Sequence, residues 1–277
     1  MFTLNCKGRL LTAAKPLVMG IINITPDSFY DGSRQQSTAG IVQQATQMLE
    51  AGAAILDIGG QSTRPGSQLL NEAEEKARVI PAIEAIMQQF PDAIISIDTF
   101  YAGVAKDAVA AGASIVNDVS GGQMDDRMLD TVATLRVPYV CMHIKGTPQT
   151  MQQFAVYDNV TTEVLDYFIK KTADCKKAGI HDVIIDPGFG FAKNSEQNFT
   201  LLRELEVLKI TGKPVLVGLS RKATIYKTLG VTPAEALNGT TVMNTMALQN
   251  GAAILRVHDV KEAVEAVKLF CAYKASS

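Results

Sequence analysis

Residues 50–57 read EAGAAILD, and the same plan returns as AAGASIVN at 110–117 and QNGAAILR at 249–256. In each copy a glycine supplies the left-handed cap that ends a helix, small residues make the turn, and an aliphatic strand follows. Each strand closes on a polar side chain: Asp57, Asn117 and Arg256. Lys177-Ala178-Gly179 leads to Asp186 in a similar way. A helix, a glycine stop and a buried strand, repeated, is the rhythm of a parallel α/β fold.

Working outward, the spacing predicts barrel strands at Leu17–Asn23, Ala54–Ile58, Ile94–Asp98, Ser114–Asn117, Pro138–Met142, Val183–Asp186, Pro214–Gly218 and Ala253–Val257. All are unalternating and aliphatic or β-branched, as strands covered on both faces must be. Amphipathic stretches such as Asn71–Gln89, Asn159–Ala178 and Lys261–Tyr273 fill the gaps. Residues 2–12 alternate weakly about Lys7-Gly8 and predict a short β-hairpin. Eight strand–helix units without a composition break in 277 residues point to a (β/α)8 barrel spanning residues 1–277 as one catalytic domain.

A buried strand has no use for a polar terminus, because an unpaired carboxylate or amide in an apolar interior costs several kcal/mol, roughly 2–7. Yet these strands end in Asn23, Asp57, Asp98, Asn117, His143, Asp186, Ser220 with Lys222, and Arg256 with His258. Any one of these could simply cap the next helix or make a turn. Together they mark the C-terminal mouth, where barrel enzymes carry their chemistry.

The connections support that reading. Residues 23–33, NITPDSFYDGS, and 59–67, GGQSTRPGS, are longer than a strand-to-helix link requires and suit loops that cover a site. Arg64 offers a planar fork for an oxyanion, though alone it would pass for a solvated loop arginine. Alternation along Arg256-Val257-His258 places both side chains on one face, which suits a phosphate. Lys222 follows the seventh strand, where it could stabilise anionic atoms or, if desolvated, act as a nucleophile. Asp98, Asn117 and Asp186 offer acceptors and an amide to a flat heterocycle rich in N–H groups, such as an aminopyrimidinone. Phe189 and Phe191 add rings for a pocket wall or for core. His143 could line the mouth or be structural, and His181 lies in a link at the opposite face.

Composition narrows the classes. Twenty-six basic and 28 acidic residues give a formal net charge of −2 with no basic block, which argues against nucleic acid. No apolar run is long enough to span a membrane, and nothing reads as a secretory signal. Cys6, Cys141, Cys175 and Cys271 are scattered, as free thiols of a reducing, cytoplasmic compartment. There is no metal-ligand cluster and no dedicated nucleotide cradle. A Mg²⁺ carried by a pyrophosphate remains compatible, with Asn23 as its ligand.

Eight motifs in order carry a resemblance: MGIINITPDSFYDGS, DIGGQSTRPG, ISIDT, IVNDVSGG, CMHIKGTPQTMQ, IIDPGFGFAKN, VGLSRKA and LRVHDV. By these the chain resembles the dihydropteroate synthases, TIM-barrel pterin-binding transferases of folate biosynthesis. The resemblance implies condensation of dihydropterin pyrophosphate with p-aminobenzoate, a need for Mg²⁺, and a homodimer. It implies that Asp98, Asn117, Asp186, Lys222, Met142 and Gly218 hold the pterin. Asn23, Thr63, Arg64, Arg256 and His258 would hold the pyrophosphate, with Asn23 on the metal. Phe29, Pro65, Phe191, Ser220 and Lys222 would border p-aminobenzoate. Asp98, Asp186, Lys222 and Arg64 would act on the reacting centre.

Two positions depart from the family pattern. Gln61 stands where many relatives carry glutamate, and Ala223 where many carry serine, which bears on charge near the second loop and on affinity for p-aminobenzoate or sulfonamide mimics. Two other readings stay open. A pterin-binding methyltransferase barrel would have no need of Arg64, Arg256 and His258. A non-enzymatic pterin-binding paralogue would be expected to have lost one of Asn23, Arg256 and His258.

Overall fold

A computed structural model describes residues 1–24, 34–61, 69–147 and 149–276. Strands β1 (Phe2–Cys6) and β2 (Arg9–Ala13) form the hairpin. Strands β3 (Leu17–Asn23), β4 (Ile55–Gly59), β5 (Ile95–Asp98), β6 (Ile115–Asp118), β7 (Tyr139–Met142), β8 (Val183–Asp186), β9 (Leu216–Val217) and β10 (Ile254–Val257) form one parallel sheet. Around it run α1 (Arg34–Glu50), α2 (Glu72–Gln89), α3 (Ala102–Ala111), α4 (Met128–Leu135), α5 (Val160–Ala178), α6 (Ser195–Arg203), α7 (Ala223–Leu229), α8 (Leu237–Gln249) and α9 (Val260–Ala275). The sheet order is β8-β7-β6-β5-β4-β3-β10-β9, and a parallel bridge between Ile185 and Val215 brings its two edges together. The chain thus forms the (β/α)8 barrel and hairpin expected from its sequence.

The strand positions agree with the periodicity to within a residue or so, except at β9, which shortens from the expected Pro214–Gly218 to Leu216–Val217. Proline has no N–H for the ladder. The Pro214 carbonyl still accepts from the Ile185 N–H at 3.0 Å, so the seam is closed by few bonds. Strand β6 runs one residue beyond expectation, to Asp118, whose buried carboxylate accepts from the Ser120 and Gly122 N–H groups and the Tyr139 hydroxyl.

The repeated glycines do what their spacing requires. Gly52, Gly112, Gly179 and Gly251 all have positive φ, and the residue after each donates back to the helix: Ala53 to Met48, Ala113 to Ala108, Ile180 to Cys175 and Ala252 to Ala247, each at 2.9 Å. That six-to-one bond is the Schellman stop, which satisfies carbonyls that a helix end leaves open. Lys7 and Gly8 also take positive φ, as the tight hairpin turn demands.

The side-chain period of two sorts each strand. Outward residues such as Ile58, Ile97, Val116, Ile185 and Val257 pack against the helices. Inward ones make a separate apolar plug of Leu17, Met19, Ile55, Ile115, Val140, Ile184, Leu216 and Ile254, which the hairpin seals from below with Leu4, Cys6 and Ala13. Two residues further along, the inward positions are Asp57, Asn117, Met142, Asp186, Gly218 and Arg256, with Asp98 beside them. The barrel interior is therefore apolar below and polar above.

Because the hairpin seals the plug at the end remote from the mouth, Leu4→Ala should lower unfolding free energy in urea by about 2–4 kcal/mol. Ligand binding by the folded fraction should be unchanged.

Candidate active site

The mouth is organised by Arg256. Its Nε donates to Asp57 Oδ2 at 2.6 Å and its Nη2 to Asp98 Oδ2 at 2.5 Å. Asp57 is fully buried, and its two oxygens also accept from Asn117 Nδ2 at 3.3 and 3.1 Å. A carboxylate only accepts, so the Asn117 amide must turn its nitrogen to Asp57 and leave its oxygen for another donor. Burial pushes the Asp98 carboxyl up; Arg256 opposes that shift and Asp57 reinforces it. The Arg256 charge is disfavoured by burial but held firmly by the two carboxylates. Gly218 flanks the arginine stem: a β-carbon there would lie 3.9 Å from Arg256 Cβ.

Asp186 and Lys222 form the second centre. Asp186 Oδ1 accepts from the Gly188 N–H at 2.8 Å. Burial raises its carboxyl, with Lys222 as the chief opposing charge. Burial lowers the Lys222 ammonium from 10.5 to about 8, with Asp186 pulling the other way. The Lys222 Nζ donates to the Phe189 carbonyl and sits 4.6 Å from the centre of the Phe191 ring. Phe189 itself is core, 1% exposed, so of the two rings only Phe191 faces the lysine. Met142 is buried in a small apolar cluster whose edge includes Phe191.

Ser220 and His258 pair through Oγ and Nδ1 at 3.0 Å, and Ser220 Oγ also accepts the His258 N–H at 3.2 Å. Arg256 and His258, expected on one face, take different hydrogen-bond partners. Strand β10 stops at Val257, and the two side chains part, one to the carboxylates and one to Ser220. They still interact: after burial, the Arg256 charge is the main cause lowering the His258 pKa. Arg221 is engaged in a two-point pairing with Asp259, both bonds at 2.8 Å. Asn23 ends β3 exposed, and its Oδ1 and Asp98 Oδ2 lie 3.8 and 3.6 Å from where a Gly59 β-carbon would stand. Phe29, Thr63, Arg64 and Pro65 lie outside the described residues.

Sequence reasoning named Asp57 as a strand end but gave it no role, and it overlooked Lys193 and Glu75. The signal for Asp57 was present, since it occupies in its repeat the place that Asn117 and Arg256 occupy in theirs. Glu75 had none. It is a fully buried acid on α2 that accepts from Gln61 Nε2 at 2.7 Å. Gln61 also clasps Leu70, accepting its N–H at 3.1 Å and donating to its carbonyl at 3.0 Å. The glutamine that departs from the family pattern thus faces a carboxylate directly, where a second acid would be repelled unless the two shared a proton. Ala223 opens α7 behind Lys222.

Burial raises the Glu75 carboxyl from 4.5 to about 7. Its stabilising contribution is therefore complete below the unfolded value and is lost as pH rises through about 7. Glu75→Gln should remove an unfolding free-energy decline on the order of 1–3 kcal/mol over that window in pH-dependent urea titrations.

Residues 19–258 match the family described as pterin binding enzyme. The chain is 43% identical to the dihydropteroate synthase of Escherichia coli (strain K12), over 95% of this chain and 93% of that one. Its fold superposes on the Xanthomonas albilineans dihydropteroate synthase solved with 4-aminobenzoic acid, at a TM-score of 0.91 and 42% identity, covering 99% of both chains. The same enzyme in complex with 7,8-dihydropteroate aligns at a TM-score of 0.88 and 40% identity, over the full length of both chains (100% each). The motif order, the polar barrel mouth and these likenesses agree: the chain belongs to the pterin-binding enzyme family, among the dihydropteroate synthases.

Proposed function

We propose that the protein condenses 6-hydroxymethyl-7,8-dihydropterin pyrophosphate with p-aminobenzoate, giving 7,8-dihydropteroate and pyrophosphate. The observation that carries this reading is the set of groups at the mouth. Asp98, Asp186 and the Asn117 oxygen, which has no partner among the described residues, accept, while Lys222 donates. A pterin presents N–H donors and ring acceptors in one plane and matches such a ring of partners. Met142 and Gly218 stand at the same level of the barrel, one apolar and one without a side chain.

The reaction breaks the C–O bond at the pterin methylene, the electron pair leaving with pyrophosphate, and forms a C–N bond to the arylamine, whose nitrogen then releases one proton to solvent. As the leaving group departs, positive charge spreads onto the pterin, and the ionised forms of Asp98 and Asp186 stabilise it. Such preorganised charges act where charge develops and need no reorganisation during the step. His258 and Arg256, with Thr63 and Arg64 of the second loop, are the proposed holders of pyrophosphate. Phe191, Ser220 and the Lys222 stem, with Phe29 and Pro65, are the proposed surround of p-aminobenzoate. The arylamine is already nucleophilic, so no activating triad is called for.

Asn23 is the proposed ligand of Mg²⁺. Its exposed amide oxygen makes no side-chain bond among the described residues, and an ion that keeps its waters and takes phosphate oxygens needs only one or two protein donors. Bound there, the ion would offset charge on the leaving pyrophosphate. A homodimer belongs to the same proposal, supported by exposed Val242 and Met246 one turn apart on α8 and Leu229 on α7. So does a cytoplasmic location, consistent with unpaired, mostly buried thiols.

With both substrates and Mg²⁺ the purified protein should form dihydropteroate and pyrophosphate in equal amounts. Tight pterin binding without turnover would instead mark a non-enzymatic paralogue. Lys222→Ala should lower turnover by roughly two orders of magnitude or more while leaving the fold intact. Because the ammonium is charged only below about 8, activity should fall as pH rises through that value, and Lys222→Arg should move this limb upward.

A further inference from the structure

Behind the Lys222 side of the mouth lies a lysine that the reaction as described does not use. Lys193 is 3% exposed and forms no ion pair among the described residues. Its ammonium instead meets three acceptors: His143 Nδ1 at 3.0 Å, the Gly188 carbonyl at 3.2 Å and the Phe191 carbonyl at 3.1 Å. Three donors matched by three acceptors require His143 to be neutral with a bare Nδ1. Burial keeps the histidine neutral, driving it down to about 2. Burial also draws Lys193 itself down to about 7, with Asp186 opposing.

A buried ammonium is an expensive way to fill space, since an apolar residue of similar volume is commonly no worse for stability. What the lysine fixes is the loop of residues 187–192. Gly188, Gly190 and Ala192 all have positive φ there, and a β-carbon at Gly188 would lie 2.1 Å from the His143 carbonyl oxygen. Asn198 Oδ1 accepts from the Gly190 N–H at 2.8 Å, and the Tyr157 hydroxyl donates to the Ala192 carbonyl at 2.9 Å. So braced, the loop offers the Phe189 carbonyl to Lys222 Nζ, sets Gly190 3.1 Å from Lys222 Cδ (measured from its would-be β-carbon), and places the Phe191 ring beside the ammonium.

We propose that Lys193 and His143 form a positioning pair for the second substrate, touching neither reactant and acting through Lys222 and Phe191 to shape the p-aminobenzoate side of the mouth. This rests on the function proposed above. The test is steady-state kinetics on the full-length chain with both substrates, alongside direct binding of the pterin pyrophosphate. Lys193→Met, which keeps length and loses all three donors, should raise KM for p-aminobenzoate at least about tenfold while pterin affinity stays within about threefold. His143→Asn keeps an oxygen acceptor where Nδ1 stood and should stay near the wild-type KM, whereas His143→Leu should reproduce the Lys193→Met defect. Combining Lys193→Met with His143→Leu should add little further, as expected of one unit.

An unchanged p-aminobenzoate KM in folded Lys193→Met would overturn the proposal. Equal impairment of His143→Asn and His143→Leu would do the same, and this pair decides the matter alone if Lys193→Met does not fold. Absence of turnover in the wild-type protein would instead remove the underlying reaction.

Discussion

Arg256 between Asp57 and Asp98 is the interaction on which the mouth depends. Three charges lie together at the top of a barrel whose lower half is an apolar plug, and each would be costly there without the others. The arginine serves both acids, because its rigid fork presents separate N–H groups to each. Asn117 completes the set by donating to Asp57, which fixes the orientation of its amide. The strands that carry these residues, β4, β5, β6 and β10, are thereby tied at their C-terminal ends by side chains as well as by the sheet.

That tie has a chemical consequence. It gathers three carboxylates (Asp57, Asp98 and Asp186) against the two cations Arg256 and Lys222. A site so composed favours a ligand that gains positive charge, provided the groups cannot collapse onto one another. Asp57 and Asp98 are held by Arg256, and Asp186 by the Gly188 N–H. Lys222 is held by the Phe189 carbonyl. The cost of arranging them is met when the chain folds, not during the reaction.

Much of this was legible in the sequence, for identifiable reasons. Strands covered on both faces read as aliphatic runs, and glycine after a helix has one main conformational use, so the barrel and the places where several of its strands begin followed from Gly52, Gly112, Gly179 and Gly251. The polar strand ends followed because they violate the rule the rest of each strand obeys. Partnership did not follow. Arg256 and Asp57 are 199 residues apart, and nothing local told that the arginine would spend two of its donors on acids and part from His258. Lys193 reads as an ordinary surface lysine beside a turn, and only the folded loop shows what it braces. The Gln61–Glu75 pair was invisible for the same reason: Gln61 stood out only as a departure from the family pattern and Glu75 not at all, until α2 brings them together. The expected roles of Phe29, Thr63, Arg64 and Pro65 rest on the motifs alone.

Whether Arg256 and Asp57 act as one unit is measured by a double-mutant cycle. Arg256→Met, Asp57→Asn and the combined variant would be compared with the wild type by urea unfolding and by titration with pterin pyrophosphate. The combined variant should be little worse than Arg256→Met alone, a coupling of at least about 1 kcal/mol in unfolding free energy. Losses that simply add would contradict it, and would mean that the two charges reached the barrel mouth independently.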